Sequence, residues 1–300
     1  MSVALAGARP AATFRAWLEL TKPRIVLLVL FTGLPAALLA AHGMPSARVF
    51  WGCGIGISLS AASAAAFNHY FDRDLDALMR RTRTRPLPSG RLSPPAAAGL
   101  GLVLAWLAWT VLAVACNPLA ALLAMANIFY YAIVYTVWLK RRTPLNIVIG
   151  GGAGASAPII AWAAVTGRVE LPAVLLAAIV FLWTPPHFWS LSLYRREDYV
   201  RAGIPMLPVT HGEPETRRQI LLYSLVLVAA TLVVAPLAGL GLLYVSVAAV
   251  LGALFVAGAV RLYRGHETRH AVALFRYSIA YLFILFLVMT ADTVLRMHGA

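Results

Sequence analysis

Nine runs of about 20 apolar residues fill most of this chain and constrain its fold more than any other feature. A transmembrane helix needs roughly 20 such residues to cross the hydrocarbon core of a bilayer. The runs lie at 24–42, 49–70, 95–115, 118–139, 144–165, 171–192, 218–238, 240–262 and 271–295. With 61% hydrophobic and 12% charged residues, the sequence predicts an all-α integral membrane protein. We expect a bundle of nine transmembrane helices that forms a single domain over residues 1–300.

Positive charge is distributed unevenly among the segments that join these runs. Of the 25 Lys and Arg residues, 22 lie on one side of the predicted bundle. The opposite side has only Arg48, Arg168 and Arg296. Loops rich in Lys and Arg stay in the cytoplasm. The pattern predicts a cytoplasmic N-terminus and an external C-terminus. The N-terminus has no apolar region followed by a cleavage site, so we expect no removable signal peptide and a multi-pass protein of the bacterial inner membrane.

The first charged loop follows the second run and reads NHYFDRDLDALMRRTRTRPLPSGRLSP, residues 68–94. Asn68, Asp72 and Asp76 fall at intervals of four, so they share one face if the second helix continues past Phe71. Carboxylate and amide oxygens are ligands that suit Mg²⁺. A solvated helix end, with the neighbouring arginines as counter-ions, fits the same spacing, and both interpretations stay open at this point.

Arginines are interleaved with these carboxylates. Arg81 and Arg85 are again four residues apart, and a guanidinium binds phosphate through two parallel hydrogen bonds. For Arg80, Arg83 and Arg91 we favour contact with lipid headgroups. A bare metal site would not need the arginines and a bare anion site would not need the aspartates, so the loop suggests a ligand that carries both metal and phosphate.

The second charged loop, residues 187–218, follows the sixth run. It contains Arg195, Asp198 and Tyr199, of which Asp198 is a candidate second metal ligand. His187 follows a proline pair at 185–186 that is predicted to break or kink the sixth helix. An ionisable residue at the membrane edge is a candidate functional residue. Alternatively, His187 hydrogen-bonds a carbonyl that the prolines leave free.

A glycine-rich stretch, GGGAGASAP at 150–158, lies inside an apolar run. It does not follow a strand, which excludes a dinucleotide-binding loop. Small residues there are predicted to let two helices approach closely.

The spacing Asn68-x3-Asp72-x3-Asp76 at the end of a second membrane helix resembles the first aspartate motif of the UbiA superfamily of intramembrane prenyltransferases. Further strings are similar to the haem O synthase branch, the protohaem IX farnesyltransferases, and the resemblance covers nearly the whole chain. They are TKPRIV at 21–26, the first charged loop, TPLNIVIGGGAGASAP at 143–158, WTPPHFWSLSLYRREDYVRAGIPMLPVTHG at 183–212 and YSIAYLF at 277–283. The second motif of the superfamily often pairs two aspartates, whereas Asp198 is followed four residues later by Ala202, a departure that this branch shares.

The resemblance implies transfer of a farnesyl group from farnesyl diphosphate to a vinyl group of haem B, with water addition, to give haem O for terminal oxidase assembly. It implies Mg²⁺ as the cofactor. The implied catalytic residues are Asn68, Asp72, Asp76 and His187, the last orienting haem or ligating its iron. The implied metal ligands are Asn68, Asp72, Asp76 and Asp198. The implied diphosphate-binding residues are Arg81, Arg85, Arg195, Asp198 and Tyr199.

Haem B and farnesyl diphosphate are the expected substrates, and the lipid bilayer is the expected environment. Haem A synthase or oxidase assembly proteins are the candidate protein partners. Nucleic acid is not expected, because the net charge of +14 is spread over short loops between apolar runs. One alternative is a UbiA-type prenyltransferase with an aromatic, quinone-precursor acceptor. Another is a transporter, which would need polar residues near the middle of the runs, where this chain is almost uniformly apolar.

Overall fold

The computed structural model describes residues 14–265 and 267–298, and within these residues nine helices are long and apolar enough to span a membrane. Spans 1 to 9 are Pro23–Ala40, Ala47–Phe71, Pro94–Ala115, Pro118–Leu139, Asn146–Thr166, Leu171–Tyr194, Gly212–Leu237, Leu242–Arg264 and Thr268–Arg296. The described part of the chain contains no strand. The predicted all-α fold and the nine spans are therefore confirmed, with boundaries that differ by a few residues from the apolar runs.

The starts of several spans are set by capping residues. Ser93 accepts a hydrogen bond from the Ala96 amide at 3.4 Å, and Asn117 accepts one from the Ala120 amide at 3.0 Å. Each cap is followed directly by proline, whose missing N–H is tolerated in the first turn of a helix. These caps start spans 3 and 4 where the third and fourth apolar runs begin.

The bundle is packed inside and apolar outside. Large side chains such as Trp189, Tyr244 and Phe286 are fully buried between spans, while Trp106 and Val250 are exposed. Exposed apolar side chains of this size are expected where lipid is the solvent. A Cβ on Gly150 would lie 2.2 Å from a ring carbon of Tyr135, which confirms that small residues in the glycine-rich stretch allow close helix packing.

Two spans have irregular helices near the charged end. The second half of span 4, Tyr130–Leu139, is a π-helix, with backbone hydrogen bonds to the fifth preceding residue. The sequence predicts a break or a kink at Pro185 and Pro186. Span 6 continues as one helix through both, so the break is wrong and the kink stays a prediction. The hydroxyls of Thr184 and Ser190 donate to backbone carbonyls four residues earlier, and such side chains help a buried helix accept proline.

Short helices lie at the end of the bundle where the chain enters span 1. They are Phe14–Thr21, Arg73–Leu78, Arg196–Arg201 and Leu207–Thr210. Leu75 and Met79 of the first charged loop pack against Tyr199, Ile204 and Met206 of the second. The two charged loops are therefore in contact, as their predicted placement in one compartment requires.

The orientation of the bundle is tested by side-specific labelling. In a background with Cys53→Ala and Cys116→Ala, Arg168→Cys marks the loop between spans 5 and 6, and Ser89→Cys marks the loop after span 2. We expect a membrane-impermeant maleimide to label Arg168→Cys in intact cells and Ser89→Cys only in inverted vesicles. The reverse pattern would contradict the cytoplasmic N-terminus, and labelling of both variants from one side would contradict the odd number of spans between them.

Candidate functional site

Asn68, Asp72 and Asp76 lie on one face at the end of span 2. The helix does not run on uninterrupted as predicted, because Asp72 (φ −90°, ψ 2°) joins it to the short helix Arg73–Leu78. The Asp72 amide still donates to the Asn68 carbonyl at 2.9 Å, and the Asp76 amide donates to the Asp72 carbonyl at 2.8 Å. These two bonds preserve the four-residue spacing. The exposed fractions of the three residues are 4%, 0% and 3%, so the alternative of a solvated helix end is wrong.

Each of these side chains is held by a cation from a different segment. The Lys22 ammonium donates to Asn68 Oδ1 at 2.5 Å, and the Lys140 ammonium donates to Asp72 Oδ2 at 2.5 Å. Arg85 donates to both carboxylate oxygens of Asp76 at 2.8 Å. Three basic side chains therefore surround two buried carboxylates, an arrangement that attracts anions. We call Asn68, Asp72 and Asp76 with Lys22, Lys140 and Arg85 the cation–carboxylate cluster.

The π-helix of span 4 directs two side chains into this cluster. Asn68 Nδ2 donates to Asp72 Oδ2 at 2.7 Å and to Thr136 Oγ1 at 3.1 Å. Thr136 in turn donates to the Tyr131 carbonyl five residues earlier, and the backbone amide of Lys140 bonds the Tyr135 carbonyl in the same register. The wider π-helical turn thus determines where Thr136 and Lys140 contact span 2. Such turns occur frequently at functional sites.

The donor set fits a hard divalent cation. Among the described residues, buried Asp72 Oδ1 has no hydrogen-bond partner, so one carboxylate oxygen of the cluster is left for a ligand. Residues 14–265 and 267–298 contain no group of three His, Cys, Asp or Glu side chains that could hold a metal by themselves. Two carboxylates and an amide would leave coordination positions for water and phosphate oxygens, as Mg²⁺ usually requires.

Two ionisable groups in and near the cluster, Lys22 and Asp74, have lowered pKa values for different reasons. Burial, followed by the nearby Arg85 guanidinium, lowers the pKa of the Lys22 ammonium to about 7. Asp74 lies on another face, where its exposed carboxylate pairs with Arg141 at 2.7 Å, and this hydrogen bond lowers the pKa of Asp74. Asp74 therefore does not belong to the cluster, as its spacing predicts, and it provides a matched control.

The second charged loop brings Asp198 and Tyr199 against the first. Asp198 Oδ1 accepts a hydrogen bond from the Arg80 amide at 3.3 Å and lies 3.6 Å from Arg201. Tyr199 is 7% exposed within the apolar contact between the loops, and burial raises its pKa. Asp198 does not form a three-carboxylate group with the cluster, and its role as a metal ligand stays a prediction.

Two of the predicted diphosphate-binding arginines make no hydrogen bond to the cluster within the described residues. Arg81 is exposed, and its side chain makes no hydrogen bond within the described residues. Arg195 is also exposed and lies over the ring of Tyr194, 5.4 Å from its centroid. It lines a cleft of about 410 Å³ at the charged end of the bundle. Of the three arginines, Arg85 alone contacts the aspartate motif directly.

His187 is held rigidly between spans 6 and 9. Its Nδ1 lies 2.7 Å from the hydroxyl of Ser278, and that hydroxyl donates to the Phe275 carbonyl at 2.7 Å. The single hydroxyl proton is used by the carbonyl, so the imidazole donates from Nδ1 and keeps the lone pair on Nε2. The ring stacks on Trp183 and Phe275, with centroid distances of 4.2 and 4.6 Å. The alternative that His187 caps a carbonyl freed by the prolines is wrong, because its partner is a side chain on another span.

The sequence profile of the UbiA prenyltransferase family matches residues 29–287. The chain belongs to this family. Protoheme IX farnesyltransferase 1 of Pseudomonas fluorescens (strain Pf0-1) is 49% identical over 290 residues, covering 96% of this chain and 97% of the relative. Protoheme IX farnesyltransferase of Azotobacter vinelandii is 48% identical and covers 97% of this chain and 98% of its own. The predicted superfamily and the predicted branch are both confirmed.

Solved structures of UbiA-type proteins share the fold at low sequence identity. A digeranylgeranylglyceryl phosphate synthase superposes with a TM-score of 0.78 at 18% identity, covering 93% of this chain and 98% of its own. A UbiA homologue from Archaeoglobus fulgidus, bound to DMAPP and Mg²⁺, superposes with a TM-score of 0.61 at 19% identity, covering 90% and 99%. At these identities the likeness shows the fold alone.

Sequence reasoning missed two residues of the cluster in this UbiA protein, and also Thr136, which hydrogen-bonds to it. Lys22 and Lys140 stand at the ends of apolar runs, where a lysine is typical as a topology signal. Thr136 lies inside an apolar run and has no distinguishing pattern. Only the TKPR string, shared with the resembling family, could have directed attention to Lys22.

Ligand-induced stabilisation tests whether the cluster binds metal and diphosphate together. We expect Mg²⁺ with farnesyl thiolodiphosphate to raise the Tm of the purified protein, because a ligand at about 100 times its Kd stabilises by about 2.7 kcal/mol. Asp72→Asn and Asp76→Asn should remove this shift, and Asp74→Asn should keep it. An unchanged shift in Asp72→Asn would show that the ligand binds elsewhere.

Proposed function

We propose that this UbiA protein transfers a farnesyl group from farnesyl diphosphate to a vinyl group of haem B, with water addition, and so makes haem O. Its relatives at 48–49% identity over nearly the full chain bear the name protoheme IX farnesyltransferase. The observation that carries the proposal is Asp72, buried beside Asp76 among three cations, with one oxygen open to a ligand. Such a site suits a ligand that brings both divalent metal and diphosphate.

Asn68, Asp72 and Asp76 would hold Mg²⁺, and Asp198 would approach it from the second loop. When bound, Mg²⁺ supplies neutralisation of the charge that develops on the leaving diphosphate. Binding of Mg²⁺ with DMAPP by the Archaeoglobus fulgidus homologue supports this assignment. Lys22, Lys140 and Arg85 would donate hydrogen bonds to the diphosphate oxygens, the kind of preorganised donors that lower the barrier to bond breaking.

The apolar bundle would supply the rest of the active site. The farnesyl chain is lipid-like and would lie between the spans, with its diphosphate at the cluster. When the C–O bond breaks, the allylic cation is attacked by the electrons of the haem vinyl group. Water then adds to the resulting carbon cation and loses a proton, which gives the hydroxyethylfarnesyl side chain. A dry interior would keep water from the first cation until the new C–C bond has formed.

His187 would receive the haem. Its Nδ1–H donates to Ser278 and its ring is stacked on both faces, so Nε2 has a fixed position and a free lone pair. Histidines that ligate a metal commonly donate their other ring N–H in this way, which sets the tautomer. We infer that Nε2 ligates the haem iron and thereby orients the porphyrin for the reaction.

The charged end of the bundle would face the bacterial cytoplasm, from which farnesyl diphosphate is drawn. The nine apolar helices make the chain a multi-pass membrane protein, and the bacterial relatives support an inner-membrane location. Proteins that consume haem O, such as haem A synthase or oxidase assembly factors, are the partners we propose.

The direct test is to incubate purified protein with haem B, farnesyl diphosphate and Mg²⁺ and to record the mass of the haem. We expect a product heavier by one farnesyl group and one hydroxyl group. Asp72→Asn and Asp76→Asn should slow its formation by at least about 100-fold, since each loses several kcal/mol of transition-state stabilisation. Asp74→Asn should differ little from wild type. Unmodified haem, together with prenylation of an aromatic acid such as 4-hydroxybenzoate, would favour the aromatic-acceptor alternative.

His187→Asn separates a haem-binding role from a structural one. Asparagine can donate a hydrogen bond to Ser278 but is a poor iron ligand. We expect the variant to express, to bind farnesyl diphosphate and to lose haem O formation, with weaker haem B binding in an absorbance titration. Haem binding and turnover like those of the parent would contradict the role of His187.

A further inference from the structure

A cleft beside the end of span 6 carries a second group of charged side chains. It holds about 410 Å³ and lies between the second charged loop and the start of span 9. Its lining includes three arginines, Arg80, Arg195 and Arg196, and three acidic residues, Glu197, Asp198 and Glu213. Three guanidinium groups at a membrane surface favour an anionic ligand where the carboxylates beside them are already paired.

Two of the three acidic residues that line the cleft already interact with other groups of the protein. Glu213 pairs with Arg217 at 2.8 Å, and Asp198 is engaged by the Arg80 amide and by Arg201. The side chains of Arg80 and Arg195 make no ion pair with a carboxylate among the described residues, and Arg196 donates to a backbone carbonyl. With Glu197 as the remaining acidic group of the lining, the cleft retains an excess of positive charge.

A continuous row of side chains connects this cleft to His187. The Phe275 ring stacks on His187 and contacts Tyr194 at a centroid distance of 5.9 Å, and Arg195 lies over Tyr194. Arg195 caps this helix eight residues after His187, which corresponds to a rise of about 12 Å. A haem ligated by His187 would extend from the interior of the bundle toward this cleft.

We propose that the cleft of Arg80, Arg195 and Arg196 is the subsite for the propionate carboxylates of the porphyrin. This inference rests on the proposed function, since it takes haem B as the acceptor. A guanidinium binds a carboxylate through two charge-assisted hydrogen bonds, and carboxylates placed here stay at the aqueous surface while the ring enters the apolar bundle. The vinyl edge lies opposite the propionates, so it points away from the cleft and into the bundle where the farnesyl chain would lie. Arg195 is thereby assigned to the acceptor and not to the diphosphate.

The test compares haem B with its dimethyl ester, in which both propionates are neutral. We expect Arg195→Gln to weaken haem B binding by about tenfold, the effect of losing one hydrogen bond to a charged group. Binding of the dimethyl ester should be unchanged, as should the KM for farnesyl diphosphate. Arg196→Gln should act in the same direction as Arg195→Gln. Arg83→Gln, which changes an exposed arginine outside the cleft, should leave the binding of both haem B and its dimethyl ester unchanged.

Absorbance titration measures haem binding without turnover, so the subsite is tested separately from the reaction. Equal weakening of haem B and its ester by Arg195→Gln would overturn the inference, and so would a raised KM for farnesyl diphosphate with haem binding unchanged. If the wild type binds haem B in the predicted manner but makes no farnesylated product, the proposed function fails while the carboxylate subsite stands.

Discussion

The contacts of Asp72 and Asp76 with Lys140 and Arg85 are the constraint on which the rest of the structure depends. Both carboxylates are almost fully buried at the end of a membrane helix, where an unpaired charge costs several kcal/mol. Their cations come from the segments after spans 4 and 2, and Lys22, before span 1, completes the cluster through Asn68. Because a buried charge must keep its partners, the ends of these three spans have to converge. That convergence creates a strongly polar point at the end of the apolar spans.

The division between this polar end and the apolar spans matches the two halves of a prenyl diphosphate. The side chains that face outward are apolar, so the bilayer supports the helices, and the charged loops close the bundle at one end. Packing of Leu75 and Met79 against Tyr199 joins the two loops through apolar contacts. This packing places the second loop near the cluster. His187 lies inside span 6, before the loop, on the side that faces span 9. The cation–carboxylate cluster and His187 thus lie on different helices.

The fold was largely predictable because transmembrane helices are set by the length of their apolar runs, which can be read directly from the chain. The aspartate motif was predictable for a similar reason, since its four-residue spacing is local. Lys140 and Thr136 were not, because their contact with Asn68 and Asp72 spans 68 residues and depends on a π-helix that leaves no sequence pattern. The break expected at Pro185 did not occur, because packing in a buried helix can outweigh the local preference of proline.

A crystal structure with Mn²⁺ and farnesyl thiolodiphosphate tests most directly whether the cation–carboxylate cluster binds a metal–diphosphate ligand. The anomalous signal of Mn²⁺ locates the metal without reference to activity. We expect one peak within coordinating distance of the carboxylates of Asp72 and Asp76, with the ammonium groups of Lys22 and Lys140 on diphosphate oxygens. A metal peak away from both aspartates, with the two lysines still on Asn68 and Asp72, would contradict this expectation.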